Sequence, residues 1–498
     1  VSRRITIVGC LVAFLFALAA AQSSWIQFFH APALAQNKVN NITNFAGLKF
    51  PRGQILASDG SVVAYSNALG GNRYQRVYPY GNLYSGVVGF VSSQYGEWGL
   101  EAQYNHYLIA HPQPPQSLSQ VLAPTSAADN LNLTLVPALQ KIAQTSLAGR
   151  DGAVVALNPA TGAVLAMYSN PTFNPADFTS TRTQTQIDAW VAANKPNVHG
   201  FPPLGLVATQ QTLPPGSTFK VLVTAGAVVD RPDLLSKSYP VQRQTALPGT
   251  THLLHNAGYE LCGGTVSEML PPSCDQGYAL LGLDLGAQVM SRVTGSFGFN
   301  QVPPLDLPGV VPSYFPPASF FDNNLAALAI SSIGQQEDRA TVLQNALVAA
   351  AIANGGVEMT PHLMSTITAQ DGTVVARYAP TAWLRPLTRL QALEFLPMMR
   401  GVVTHGTAVR VRFRPEDDVA AKTGTAEVAN ATQDNDDWMI AFAPASNPVI
   451  AIAVMLPFQI SNSSGASEAG PVVKCMIEGA IALSKGLPAT GTFNTCPS

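Results

Sequence analysis

Ser217 and Lys220 stand three residues apart in Pro214-Pro215-Gly216-Ser217-Thr218-Phe219-Lys220, just ahead of the apolar Val221-Leu222-Val223. Two prolines and a glycine make a rigid turn. The abrupt apolar run after them predicts a buried helix over 217–229 with Ser217 in its first turn. Backbone N–H groups at such a start are unpaired, and the helix dipole favours negative charge there. Lys220 returns to the face of Ser217 and is placed to reach its Oγ. A hydroxyl becomes a useful nucleophile only when a base takes its proton. Lysine serves as that base when burial and positive neighbours lower its pKa. The plain alternative is a serine N-cap followed by a surface lysine. Nine lysines occur in the chain, and Lys220 alone has a serine three positions earlier; the fragment by itself leaves both readings open.

A second stretch, Asp417-Asp418-Val419-Ala420-Ala421-Lys422-Thr423-Gly424-Thr425-Ala426-Glu427-Val428, reads as a strand. An unpaired ammonium buried in an apolar strand is costly. Gly424 lets a partner come close to the backbone. Lys422, Thr423 and Thr425 beside an open strand edge suit an extended peptide that carries a carboxylate. A solvent-facing lysine on an edge strand is the alternative here.

These residues need a scaffold. Beyond Gly149, residues 153–157 and 163–168 read as strands joined by Pro159-Ala160-Thr161-Gly162, a hairpin. Helical runs are predicted at 217–229, 283–297 and 341–354, the last closed by Gly355-Gly356. Residues 419–428 and 449–457 read as late strands. Helices lying between early and late strands predict one sheet assembled from both ends, in an α/β or α+β domain over 149–498. Ahead of it, Pro51 to Ala64 reads as strand, Asp59-Gly60 turn, strand. Residues 112–129 form a Pro/Ser/Ala-rich linker, and Pro137 opens a helix to about Leu147.

Length and composition set the frame. A chain of 498 residues exceeds one ordinary core. Charged residues make up 11%, net charge is −2, and no long basic run exists, which argues against a nucleic-acid partner. Arg3 and Arg4 precede the uncharged run Ile5 to Ala21, which extends without charge to Phe29. This predicts a single-pass anchor over 1–29, N-terminus cytoplasmic and body outside. The alternative is a cleaved signal peptide ending near Ala33-Leu34-Ala35. Both export the body, where Cys262–Cys274 and Cys475–Cys496 are candidate disulfides. No Cys-x-x-Cys pair is available for zinc, and His252 and His255 lack acidic partners for a metal set.

Ser-x-x-Lys followed well downstream by Lys-Thr-Gly resembles the signature of penicillin-binding proteins and serine β-lactamases. That family places Ser-x-Asn between the two, and no Ser-x-Asn occurs here. Pro272-Ser273-Cys274-Asp275-Gln276 stands at the matching place, with Asp275 where the family has Asn. An ionised Asp only accepts hydrogen bonds, whereas an amide also donates. Pro51-Arg52-Gly53-Gln54-Ile55 and Gly99-Leu100-Glu101 resemble the N-terminal, non-catalytic region of class B, monofunctional penicillin-binding proteins. Gly152–Leu157, Ser332-Ile333-Gly334-Gln335 and Ile352–Gly356 are similar to parts of their transpeptidase domain.

The resemblance implies a central antiparallel sheet flanked by helices over 149–498. It also implies a smaller mixed N-terminal domain within 30–148 and a transmembrane helix ahead of both. The implied activity is a peptidoglycan D,D-transpeptidase, serving cell shape or division, that cross-links stem peptides ending in D-Ala-D-Ala and is acylated by β-lactams. Ser217 would be the nucleophile, Lys220 the base, and Ser273 with Lys422 the proton relay to the leaving amine. Backbone N–H groups of Ser217 and Thr425 would form the oxyanion hole. Asp275, Thr423, Gly424 and Thr425 would bind substrate, with no metal and no cofactor. A glycosyltransferase, divisome or elongation protein is the expected partner class. A D,D-carboxypeptidase, a β-lactamase and a non-enzymatic β-lactam sensor or scaffold share the fold and stay open. The Glu-x-x-Leu-Asn string of class A β-lactamases is absent from this sequence.

Overall fold

The computed structural model describes residues 2–25, 50–71, 73–112, 126–428 and 434–489. Two apolar runs, β1 (Gly152–Leu157) and β2 (Val164–Asn170), form a hairpin. Gly162 closes its turn at φ +79°, where an added Cβ would lie 2.2 Å from the Thr360 carbonyl oxygen. Three late runs, β3 (Ala420–Glu427), β4 (Asn435–Ala443) and β5 (Ile450–Gln459), complete a five-stranded sheet in the order β2-β1-β5-β4-β3. Every pairing is antiparallel. The sheet is thus assembled from both ends of the region, and β3 is an edge.

Alternation along the strands divides the core in two. Val154, Ala156, Ile452 and Val454 face the helices α1 (Pro137–Leu147) and α6 (Ala469–Ser484), packing on Leu139, Ile142, Val473 and Ile477. Ala153, Val155, Ala453 and Met455 face the other way. There they meet the core that includes α2 (Lys220–Asp230) and α4 (Val342–Ala353). With both faces covered, β1 and β4 are buried along their whole length, and β1 accordingly reads as a continuous apolar run. Thr341 caps α4 by accepting from the Gln344 N–H at 3.0 Å. Gly355 and Gly356 end it at positive φ.

Two helix boundaries differ from the sequence expectation. The turn carrying Ser217 is a 3₁₀ turn, Gly216–Phe219, and the α-helix begins only at Lys220. The helix expected over 283–297 runs as α3 from Asp275 to Ser296, interrupted at Gly286 (φ 76°, ψ 160°). The missed part, 275–282, holds Gly277 and Gly282, two poor helix formers that weaken its helical pattern.

A second, six-stranded sheet contains Ile55–Leu56, Val62–Gly70, Arg73–Val77 and Asn130–Leu133. It also draws in Met364–Thr368 and Val374–Arg377 from within 149–498. Behind it, Glu101 receives Arg52 Nε at 3.0 Å, Arg76 Nε at 2.6 Å and the Tyr78 hydroxyl at 3.2 Å.

Ser2–Trp25 is a helix whose Ile7, Leu11, Phe14, Leu15 and Phe16 are exposed. Among the described residues no helix is long and apolar enough to cross a membrane. The structure therefore does not carry the transmembrane expectation. Arg3 and Arg4 at one end and Gln22-Ser23-Ser24 at the other limit the apolar part to Ile5–Ala21, short of the ~20 residues a bilayer core takes. The extension to Phe29, the Ala33-Leu34-Ala35 segment and all but Ser23–Trp25 of the polar, Asn-rich stalk expected over 23–48 lie outside the described residues.

Candidate active site

The turn that bears Ser217 is fixed by glycines that let backbones touch. Gly216 has φ +52°, and an added Cβ would sit 2.8 Å from the Thr425 carbonyl oxygen. At Gly424 a Cβ would lie 2.9 Å from the Pro215 oxygen and 3.1 Å from the Thr218 nitrogen. Residues 215–218 therefore pack over the face of β3 toward which a side chain at 424 would point, in contact with Gly424 and Thr425. The Gly216 N–H donates to the Gly334 oxygen at 2.9 Å, which braces the turn from its other side. Ser217 itself is half-buried.

Lys220, one turn on, is fully buried. Its Nζ donates to the Ser273 carbonyl oxygen at 2.7 Å, to Ser273 Oγ at 3.2 Å and to Asp275 Oδ1 at 2.7 Å. Lys422, equally buried, donates to the same Ser273 Oγ at 2.8 Å and to the Thr423 carbonyl oxygen at 2.8 Å. One hydroxyl thus joins two ammonium groups from distant parts of the chain. Burial lowers the pKa of Lys220, and Asp275 opposes the fall. Burial and then the positive charge of Lys220 drive Lys422 well below the ordinary lysine value. In this arrangement Lys220 spends three N–H bonds on Ser273 and Asp275, and it makes none to Ser217.

The Ser273 loop is held hard. Ser273 has φ +61°, a left-handed conformation uncommon for serine. Its neighbour Cys274 is bonded to Cys262. The Gln276 N–H donates to Asn256 Oδ1 at 3.0 Å, and Gln276 Nε2 donates to the carbonyls of Pro240 and Cys262, both at 2.9 Å. These partners pin the loop on each side of Ser273. Cys475 is disulfide-bonded as well; its expected partner Cys496 lies outside the described residues.

Along β3, Thr423 Oγ1 is 2.6 Å from Thr407 Oγ1. Thr425 Oγ1 accepts the Gly465 N–H at 3.2 Å, leaving its own proton to donate. The structure thus gathers Ser217, Lys220, Ser273, Asp275, Lys422, Thr423, Gly424 and Thr425 into one site. Sequence reasoning missed Asn256, Gln276, Thr407 and Gly465. None sits in a spaced pattern, and only their contacts reveal them. Gly465 came closest to being legible as a glycine in a polar loop: a Cβ there would lie 2.5 Å from the Gly424 oxygen. Among the described residues no cluster of three His, Cys, Asp or Glu is placed to hold a metal ion.

Comparison with known proteins decides the family. Residues 152–478 match the model of the penicillin binding protein transpeptidase domain, and residues 52–126 match that of the penicillin binding protein A dimerisation domain. The chain belongs to the penicillin-binding protein family. This penicillin-binding protein is 32% identical over 495 residues to the peptidoglycan D,D-transpeptidase PbpA of Mycolicibacterium smegmatis, covering 95% of this chain and 98% of the relative. It resembles the ceftriaxone acyl-enzyme structure of penicillin-binding protein A from M. tuberculosis at TM-score 0.78 and 30% identity, over 87% of this chain and 99% of that one. The penicillin G acyl-enzyme complex of the same protein matches at TM-score 0.76 and 30% identity, over 86% and 99%.

Proposed function

We propose that this chain is a peptidoglycan D,D-transpeptidase working through an acyl-enzyme on Ser217. The observation that carries the reading is Ser273 Oγ bridging two buried lysines beside the turn that bears Ser217. The proton must first leave Lys220, since an ammonium has no lone pair to accept one. Burial favours that loss, and Asp275 restrains it. The neutral amine takes the proton of Ser217 Oγ as the oxygen attacks the penultimate D-Ala carbonyl. Backbone N–H groups of Ser217 and Thr425 receive the oxyanion; one such donor is typically worth about 10²–10³ in rate. The C–N bond then breaks. Ser273, held by Lys422, passes the proton from Lys220 to the departing D-Ala amine. The amine of a second stem peptide reverses these steps and takes the acyl group.

Thr423 and Thr425 hold the substrate's terminal carboxylate, with Gly424 letting the turn that bears Ser217 pack close beside them. Asp275 fixes Lys220 instead of donating to the substrate backbone. β-Lactams acylate Ser217 and remain there. Mass spectrometry of the penicillin-treated chain tests this directly: the adduct maps to Ser217 and disappears in Ser217→Ala. A covalent adduct persisting in that variant refutes the assignment.

Residues 149–498 carry the reaction, and 30–148 form the non-catalytic domain and linker, braced by the two strands borrowed from 364–377. We place the body outside the cytoplasm, with Ser2–Trp25 and the uncharged segment after it as the anchor. The exposed apolar side chains of that helix and the Cys262–Cys274 disulfide support this. Recovery of the intact chain in a salt-washed soluble fraction would remove the anchor. A glycosyltransferase or a divisome or elongation protein is the partner class this division of labour calls for.

A further inference from the structure

Sharing no residue with the catalytic cluster, a cavity of about 190 Å³ opens where the strand Arg73–Val77 meets the segment 179–186 of the catalytic region. Its walls are tied together from both sides. Gln75 Nε2 donates to the Thr179 oxygen at 3.0 Å. Gln186 Nε2 donates to the Ser180 oxygen at 2.6 Å and to Ser93 Oγ at 3.0 Å. The cavity is therefore part of the fold and straddles the seam between the two sheets' domains.

Three arginines line it, Arg52, Arg73 and Arg76, and no carboxylate does among the described residues. Arg52 and Arg76 share the single carboxylate of Glu101 behind the wall, and Glu97 lies 3.9 Å from Arg52. Arg73 is exposed and has no ion pair among the described residues, so the walls carry surplus positive charge. Arg76 is 4% exposed. Its Nε and Nη1 are used by Glu101 and by the Gly53 oxygen at 2.7 Å, but its buried Nη2 has no partner. An unpaired N–H on a buried guanidinium costs free energy, and a small turn of Arg76 toward an oxyanion in the cavity would recover it. Leu69 and Val91 supply an apolar side.

We propose that this cavity binds a small organic oxyanion, a carboxylate or a phosphate monoester, gripped by Arg73 and Arg76 with its carbon part against Leu69 and Val91. The volume is below the ~300–1,000 Å³ of pockets for drug-sized ligands, which points to a fragment of a few carbons.

Calorimetric titration of the full chain at constant ionic strength tests this with glutarate, glycerol 1-phosphate and uncharged glutaramide. Either anion is expected to bind saturably at one site, and the tighter of the two identifies the head group. Glutaramide should give no binding. Arg73→Glu, at an exposed position, should keep the wild-type melting temperature and weaken the anion about tenfold or more. Lys422→Met should leave the affinity unchanged, which separates this cavity from the catalytic cleft and from the transpeptidase reading. The proposal is overturned if neither anion saturates, if Arg73→Glu binds as tightly as wild type, or if Lys422→Met alone abolishes binding.

Discussion

Around Glu101, two guanidiniums meet one carboxylate, with the Tyr78 hydroxyl and Asn105 Oδ1 completing the set. Around Ser273, two ammoniums meet one hydroxyl, with Asp275 touching only one of them. Both clusters are buried, and both hold more cations than anions. In the first, burial pushes the Glu101 pKa up, but Arg76 and Arg52 overcome it and hold the acid below its ordinary value. Arginine cannot release its proton, so that cluster has one protonation state and fixes two chain segments. In the second, burial bears on lysines, which can release a proton. The excess charge is then relieved by titration. A site that can change protonation state is one that can move protons during a reaction.

The sharpest way to break this contrast is to replace a lysine. Lys220→Met should cut β-lactam acylation about 10²–10⁴-fold. The melting temperature should stay equal or rise, because a buried, under-compensated charge is replaced by an apolar group of similar size. Stopped-flow acylation and calorimetry give both readouts, and a collapse of stability would make Lys220 structural. Next in size, Glu101→Gln should cost about 3–5 kcal/mol of stability by leaving two guanidiniums buried around a neutral amide. The acylation rate of the protein that remains folded should be unchanged. A rate loss matching that of Lys220→Met would erase the distinction between the clusters.

A subtler test turns on Asp275, which holds the Lys220 pKa up against burial. Asp275→Asn should let it fall further, so the acid limb of the acylation pH profile moves to lower pH. A shift the other way would mean that the carboxylate does not act on Lys220. The smallest effect concerns Asp437, opposite Thr425 in the β3–β4 ladder. Burial pushes its carboxyl up to about 7. The folded state therefore binds a proton that the unfolded chain releases near pH 4. Its stabilising share is full below that value and is lost as pH rises through about 7. Asp437→Asn should flatten this loss, visible as about 2–4 °C of relative gain in melting temperature above pH 7.

Much of this site was legible because its residues come in short, spaced strings. Pro214–Lys220 announced a rigid turn before a buried helix, and Lys422 to Thr425 announced a cation on a strand with a gap beside it. Arg52 and Glu101 stood in recognisable strings as well. That Arg52 and Arg76 converge on Glu101 was not visible, since the three belong to separate elements. The start of α3 at Asp275 was masked by Gly277 and Gly282, which weaken the helical pattern ahead of Leu283. Asn256, Gln276 and Thr407 carry no pattern at all, because a hydrogen bond between distant segments imposes no periodicity on either one. The strands over 364–377 read as part of the catalytic region by position, yet they complete the other sheet.

By itself, the sequence determined which side chains could do chemistry, since a turn, a helix start and an apolar strand are set by neighbours a few residues apart. It determined the hairpin of β1 and β2 for the same reason. Only the tertiary structure decided that Lys220 and Lys422 share Ser273 Oγ and that Asp275 accepts a hydrogen bond from just one of them. A lysine's pKa depends on what surrounds it within a few ångströms, and in this chain those surroundings arrive from residues more than fifty positions away.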